Sequence, residues 1–300
     1  MAKIGLIDVD SHNFPNLALM KISAYHKAQG DEVEWWWGWG QYDRVYMSKV
    51  FDNTYSPDHP EPVNAKEIIK GGTGYDLKNK LPDEIEHMYP DYSLYPELTK
   101  EKSFGFLSRG CPNNCPFCIV CAKEGRKSCK VADLDQWWKG QKNIVLQDPN
   151  LLACRDHMDL LAQLADSRAW VDMNQGLDAR MLTEENIDAL NKVKIKRIHF
   201  AWDLMERSEA ILKGLDMYLD HGKIKDMSRR EVYVLTNFNT SMEENLYRIY
   251  TLRDLRGMGY DPYVMVYDKP NAPKEIRRLQ RWCNNKRIFK KCPRFEDYKG

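Results

Sequence analysis

Long hydrophobic runs are missing from this sequence. No stretch approaches the roughly 18 consecutive apolar residues that a membrane helix needs, so neither a membrane span nor a membrane partner is expected. The opening residues, Met1 to Asp8, hold too short an apolar run for a signal peptide. Eight cysteines without a secretory signal are expected as reduced thiols in the cytoplasm. No solenoid-type repeat is visible. Gly71-Gly72-Thr73-Gly74 is not followed by Gly-Lys-Ser/Thr, which excludes a P-loop there. Net charge is also small: 45 Lys and Arg against 44 Asp and Glu leave +1. Nucleic-acid binders tend to be basic over a whole domain, and this chain is not.

What is present fits a soluble globular protein. Hydrophobic residues make up 43% and charged residues 30% of 300 positions, enough for one large domain or two ordinary ones. The charge is uneven. Residues 271–300 carry ten Lys/Arg and three Asp/Glu, so this tail is +7 and the rest of the chain −6. From Pro273 the tail predicts a helix. Its Lys274, Arg277, Arg278 and Arg281 fall at i, i+3, i+4 and i+7, with Leu279 and Trp282 turned inward. Lys286, Arg287, Lys290, Lys291 and Arg294 follow. Charge runs are usually solvated faces, so a small-molecule or peptide substrate is expected ahead of nucleic acid.

The densest chemistry is Cys111-Pro-Asn-Asn-Cys115-Pro-Phe-Cys118, three thiols within eight residues. Disulfides between residues this close rarely reach an unstrained geometry. Thiols so crowded read as metal or iron–sulfur ligands. Pro112 and Pro116 each remove an N–H and stiffen the loop. Structural zinc, with Cys121 as fourth ligand, is the plainer alternative, but such sites usually pair two distant Cys-x-x-Cys knuckles.

The spacing Cys-x-x-x-Cys-x-x-Cys, with Phe117 just before the third cysteine, resembles the signature of the radical S-adenosylmethionine superfamily. The resemblance implies that Cys111, Cys115 and Cys118 hold three irons of a [4Fe–4S] cluster. The fourth iron is then left to chelate S-adenosylmethionine, and an external flavodoxin- or ferredoxin-type protein supplies electrons. Cys121 would close that open position as a ligand, so it is read as a packed or free thiol.

From this loop onward strands and helices alternate. Strands are predicted at 103–109, 143–148, 169–176, 197–203, 231–236 and 262–267. Thr183-Glu-Glu and the capping box Ser241-Met-Glu-Glu244 open helices, the second running to Arg256. The expected fold class is α/β: a six-strand parallel partial barrel, (β/α)6, with its chemistry at the carboxyl strand ends. The family resemblance implies the same fold.

The resemblance also nominates cosubstrate residues. Phe117 lies in the motif. Asp148 and Asn150 end the second strand, where polar contacts to the methionyl part are implied. Gln175 and Arg180 follow the third, and Arg180 resembles an arginine that meets the cosubstrate carboxylate. Asp203 ends the fourth, at the place of a ribose- or amine-binding acid, and Asn237 ends the fifth. The usual Gly-Gly-Glu after the second strand is missing, so the partner of the ammonium group stays open. Each of these polar residues also reads as a cap or turn former, Asp148 before Pro149 above all.

The first 75 residues read as a small Rossmann-like module, with strands near 3–9, 32–37, 44–51 and 67–72 and a helix from Asn16 to Gln29. Asp10-Ser-His12 after the first strand resembles the start of a cobalamin-binding domain, as do the placements of Ser48-Lys-Val50 and Gly71-Gly72. Pro15 stands where that pattern has glycine, so cobalamin is not the favoured cofactor. Trp35-Trp-Trp-Gly-Trp39 is expected as a strand and turn packed on the barrel. The organisation expected is therefore 1–75 module, 76–102 wrapped linker, 103–270 partial barrel and 271–300 basic helix and tail. Two other functions fit the same residues: a radical methyl- or methylthiotransferase on RNA, and a non-catalytic metal-binding module that recognises nucleic acid. Cys154, Cys283 and Cys292 are too scattered to argue a second cluster.

Overall fold

The apolar run at the amino terminus forms strand β1 (Lys3–Asp8) in a computed structural model that describes residues 1–300. Helix α1 (Leu17–Ala28) follows, then β2 (Glu32–Trp35), β3 (Tyr42–Ser48) and β4 (Ala65–Gly71). The four strands are parallel, in the order β2-β1-β3-β4. Asn16 caps α1 by accepting from Leu19 N. One face of the sheet buries Ile4, Leu6 and Tyr46 with Leu19 and Ile22 of α1. The other buries Ile7, Val45 and Met47. Burial on both faces explains why β1 reads as a continuous apolar run.

The chain divides into two compact units, 1–105 with 133–144, and 106–132 with 145–300. Residues 76–102 therefore fold within the first unit, carrying short helices α2 (Asp83–Glu86) and α3 (Pro96–Thr99). Ile85 of α2 enters the β1–α1 core. Segment 133–144, read from sequence as part of the barrel, also belongs here. Trp137 is buried, and the Tyr92 hydroxyl donates to its carbonyl at 2.7 Å. The tryptophan run departs from expectation as well. Trp35 meets Tyr95 edge-on and Trp36 donates to Asn64, but Trp37 is 55% and Trp39 76% exposed.

Next in chain order come β5 (Lys102–Gly105), β6 (Ser108–Arg109), α4 (Val120–Glu124), β7 (Cys129–Lys130), β8 (Asn143–Leu146), α5 (His157–Asp166), β9 (Trp170–Met173) and α6 (Glu184–Lys192). The chain continues through β10 (Lys194–Ile195), β11 (Ile198–Ala201), α7 (Ser208–His221), β12 (Arg230–Thr236), α8 (Met242–Asp254), β13 (Asp261–Val266), α9 (Lys274–Asn284) and α10 (Lys286–Lys291). The single strand expected at 103–109 is two, β5 and β6. The break has a cause: the N–H groups of Leu107 and Ser108 are claimed by the Asp148 carboxylate.

In the second unit β10 pairs parallel with β9, and β11-β12-β13 form a parallel sheet. A parallel bridge, Leu177 to Phe200, continues β9 onto β11. The class is α/β with several parallel sheets, and no sheet closes into a barrel. The strands are short because their carboxyl ends turn into loops that carry the polar residues. Val232 and Val234 of β12 are fully buried, while Glu231 and Tyr233 alternate with them on the other face. There His199 Nδ1 lies 3.1 Å from Glu231 Oε1. Burial alone would lower the His199 pKa, but Asp172 and Glu231 raise it overall. Thr183 and Ser241 head capping boxes for α6 and α8. No helix is long and apolar enough to cross a membrane.

Helix α7 lies hard against the turn 179–181. A Cβ on Gly214 would stand 1.8 Å from the Ala179 carbonyl oxygen, so only glycine fits. Gly214→Ala should cost about 3 kcal/mol through overpacking. The melting midpoint should then fall by about 2–4 °C per kcal/mol, read by circular dichroism. An unchanged midpoint would mean that α7 does not seat on that turn.

Candidate metal centre

The cysteine loop begins where β6 ends. β6 pairs antiparallel with β7, Ser108 opposite Lys130 and Arg109 opposite Cys129, which closes the base of the excursion. Gly110 follows with φ of 89°, and a Cβ there would stand 2.2 Å from the Lys127 carbonyl. Within the loop Cys118 N donates to Cys115 O at 3.0 Å. Helix α4 starts two residues after Cys118.

Asp148 anchors this base. Its carboxylate accepts from Leu107 N at 2.8 Å and from Ser108 N at 2.6 Å, and from the Ser108 hydroxyl as well. Burial pushes its pKa up to about 7 against those hydrogen bonds. Both oxygens are thus engaged with Leu107 and Ser108 ahead of the loop, not turned towards a ligand as the sequence reading implied. The reason is geometric: the N–H groups of Leu107 and Ser108 have no main-chain acceptor, and a carboxylate supplies one for each.

A second carboxylate ties the loop to the strand ends. Asp178 Oδ2 accepts from Asn113 Nδ2 at 2.8 Å, and Arg180 grips both oxygens at 2.8 and 2.6 Å. Asn150 Nδ2 reaches the same oxygen at 3.4 Å. Burial would raise Asp178, but Arg180 and Asn113 outweigh it and hold it below the usual carboxylate value. The structure thus brings Asn150 and Arg180 together beside the loop. Gln175 does not join them: it is exposed and donates to Asn174. Asn237 is a turn former with φ of 63°, its amide donating to Tyr267 O. Phe117 meets Phe238 edge-on at 5.4 Å.

Two cysteine sulfurs have N–H donors aimed at them. Arg207 Nη1 lies 3.5 Å from Cys115 Sγ, and its Nη2 donates to Asn113 O at 3.3 Å. Asn150 Nδ2 lies 3.6 Å from Cys111 Sγ. Asn150 Oδ1 is buried with no partner. Burial pushes the Cys115 and Cys118 thiols up. Cys121 donates its S–H to Cys111 O at 2.9 Å and so has a place in packing. No three His, Cys, Asp or Glu side chains converge on a point that one metal ion could fill. Of the other thiols, Cys154 and Cys283 are buried, and Cys283 sits in the apolar cluster around Trp282.

Asp203 is half-buried at the end of β11. Burial pushes it up to about 6 although Arg248 and Arg207 oppose the shift. Arg248, fully buried on α8, donates to the carbonyls of Trp202, Asp203 and Leu235. It therefore fixes the carboxyl ends of β11 and β12. Asn113, Asp178, Arg207 and Arg248 were not picked out as site residues from sequence. Only Asn113, inside the motif, and Asp178, beside Arg180, carried any local signal.

A carboxyl group with a raised folded pKa contributes stability at low pH and loses it as pH rises through that value. For Asp203 the window runs from the ordinary 3.8 to about 6. Asp203→Asn does not titrate there. It should be more stable than the parent above pH 6, by on the order of 2 kcal/mol, with the gain gone below pH 4. Denaturant unfolding at pH 4 and pH 7.5 measures this, and an equal effect at both would show that Asp203 is not desolvated. Comparison with protein-family profiles gives no match to this chain, and comparison with curated proteins gives none either.

Proposed function

We propose that Cys111, Cys115 and Cys118 hold a [4Fe–4S] cluster and that the chain is a radical S-adenosylmethionine enzyme. The observation that carries the reading is the stiff three-thiol loop with N–H donors directed at two of its sulfurs. Such donors tune a cluster's potential by stabilising charge on sulfur. The donor set fits: three thiols engage three irons, and Cys121, bonded to Cys111 O, is not required as a fourth ligand. A cluster held there, once reduced by an external flavodoxin- or ferredoxin-type donor, would supply the single electron for reductive cleavage of S-adenosylmethionine.

In this reading residues 103–270 are a partial (β/α)6 barrel. The parallel pairings and the Leu177–Phe200 bridge support a curved succession of strands whose carboxyl ends face the loop. The residues around the centre then have separable tasks. Arg180 keeps Nη1 outside its fork with Asp178 and offers it to the cosubstrate carboxylate. Asn150 presents its unpartnered Oδ1 as an acceptor for the ammonium group, the task that the missing Gly-Gly-Glu leaves vacant. Asp203 accepts from a ribose hydroxyl. Phe117 and Phe238 form an apolar wall that excludes water.

Anaerobically reconstituted protein should carry about four irons and four sulfides per chain. The triple variant Cys111→Ala, Cys115→Ala, Cys118→Ala should lose them, and Cys121→Ala should keep them. Stoichiometric zinc in place of iron would reject the cluster. Once reduced with dithionite, the loaded protein should release 5′-deoxyadenosine from S-adenosylmethionine. Arg180→Ala should weaken S-adenosylmethionine binding by about 2 kcal/mol, roughly 30-fold by equilibrium dialysis. Unchanged affinity would assign Arg180 only to holding Asp178.

A further inference from the structure

The basic tail folds into two surfaces with different fates. On α9, Ile276, Leu279, Trp282 and Cys283 are buried. Leu279, Trp282 and Cys283 pack in one cluster with Val264 of β13, Ile249 of α8 and Phe289 of α10. Arg278 turns to this side too, its guanidinium lying over Phe295 and Tyr298. The cationic stripe read from sequence is therefore split. Arg277 and Arg281 face another way, into a cleft of about 740 Å³ between β13 and the α9–α10 corner.

The lining of that cleft is unusual in charge. Lys269, Arg277, Arg281 and Arg287 all reach it, are exposed, and have no carboxylate partner in the structure. Lys286 is also there, but Asp261 neutralises it at 2.7 Å. No acidic side chain lines the cleft. Like charges one helical turn apart repel, so leaving Arg277 and Arg281 unpaired is unfavourable without an anion. Their four-residue separation is also about 6 Å along the axis, close to the step between phosphates of an extended single strand. Tyr263 of β13 is half-buried in the floor and offers an aromatic ring beside the cations. A phosphate row next to an aromatic platform is how single-stranded nucleic acid is held.

We propose that the cleft between β13 and the α9–α10 corner binds single-stranded nucleic acid, its phosphates on Arg277, Arg281, Lys269 and Arg287 and a base against Tyr263. The surface is self-contained, so the proposal does not rest on the cluster.

The test uses the full chain and a fluorescein-labelled twelve-nucleotide RNA, followed by anisotropy from 50 to 300 mM salt. Four contacts predict log K falling with log salt at a slope of about −3, and Arg277→Gln with Arg281→Gln should halve that slope. The double variant should also weaken binding about tenfold or more at 50 mM salt. Lys269→Gln with Arg287→Gln should do the same, which keeps the test open if the first variant fails to fold by circular dichroism. Lys290→Gln with Lys291→Gln, on α10 outside the cleft, should change binding less than either. Tyr263→Ala should weaken it without altering the slope. The triple cysteine variant should bind RNA as the parent does, so this result and the cluster result can fail separately. Absence of binding at 50 mM salt overturns the proposal. So does an equal loss in the Lys290/Lys291 variant, which would indicate a diffuse positive field. Competition by tripolyphosphate or a nucleoside triphosphate as effective as by unlabelled RNA would make the ligand a short phosphate and overturn the strand.

Discussion

Asp178 is the carboxylate on which the candidate centre depends. It accepts from Asn113 in the cysteine loop, from Asn150 after β8 and from both ends of the Arg180 fork. Three segments far apart in sequence meet on two oxygens. A loop with two prolines is stiff in itself but has no orientation of its own. Here Asn113 gives it one, and Arg207 adds a second hold through the Asn113 carbonyl. A carboxylate in this position gains more from its donors than it loses to burial, which is why its pKa falls where those of Asp148 and Asp203 rise.

Those two raised carboxylates have different tasks. Asp148 substitutes for a strand partner: it gives acceptors to Leu107 and Ser108, where the backbone leaves one ladder before joining the next. The cost of burying it is met by hydrogen bonds within the protein. Asp203 has less compensation. Arg248 lies close, but its N–H groups go to main-chain carbonyls at the ends of β11 and β12. A half-buried acid left short of donors at a strand end is an arrangement that stability alone does not favour, and such groups gather where ligands bind.

The carboxyl-terminal helix shows the same economy in another form. One face of α9 completes an apolar cluster around Trp282, while its polar residues finish the sheet. Asn284 exchanges hydrogen bonds with both the N–H and the carbonyl of Val264, so the edge strand β13 meets a side chain instead of another molecule. The cations that remain are free to act at the surface.

Local pattern determined much of this protein without help from tertiary structure. The alternation of strands and helices, the caps at Thr183 and Ser241, the inward turn of Leu279 and Trp282, and the density of thiols at residues 111–118 all depend on neighbours within a turn or two. Such signals survive in a bare sequence because the physics behind them is short-ranged. Tertiary structure alone decided which polar residues meet. Asp148 and Asn150 are two residues apart, yet one faces the β6 backbone and the other the cysteines. Arg207 and Arg248 reach their carbonyl and sulfur partners across more than 40 residues of chain, with the exception of Leu235, Glu244 and Asn245 nearby in sequence. The inclusion of 133–144 in the first unit likewise turns on where Trp137 finds burial. Hydrogen bonds and burial of this kind are set by the path of the whole chain, and no local spacing records them.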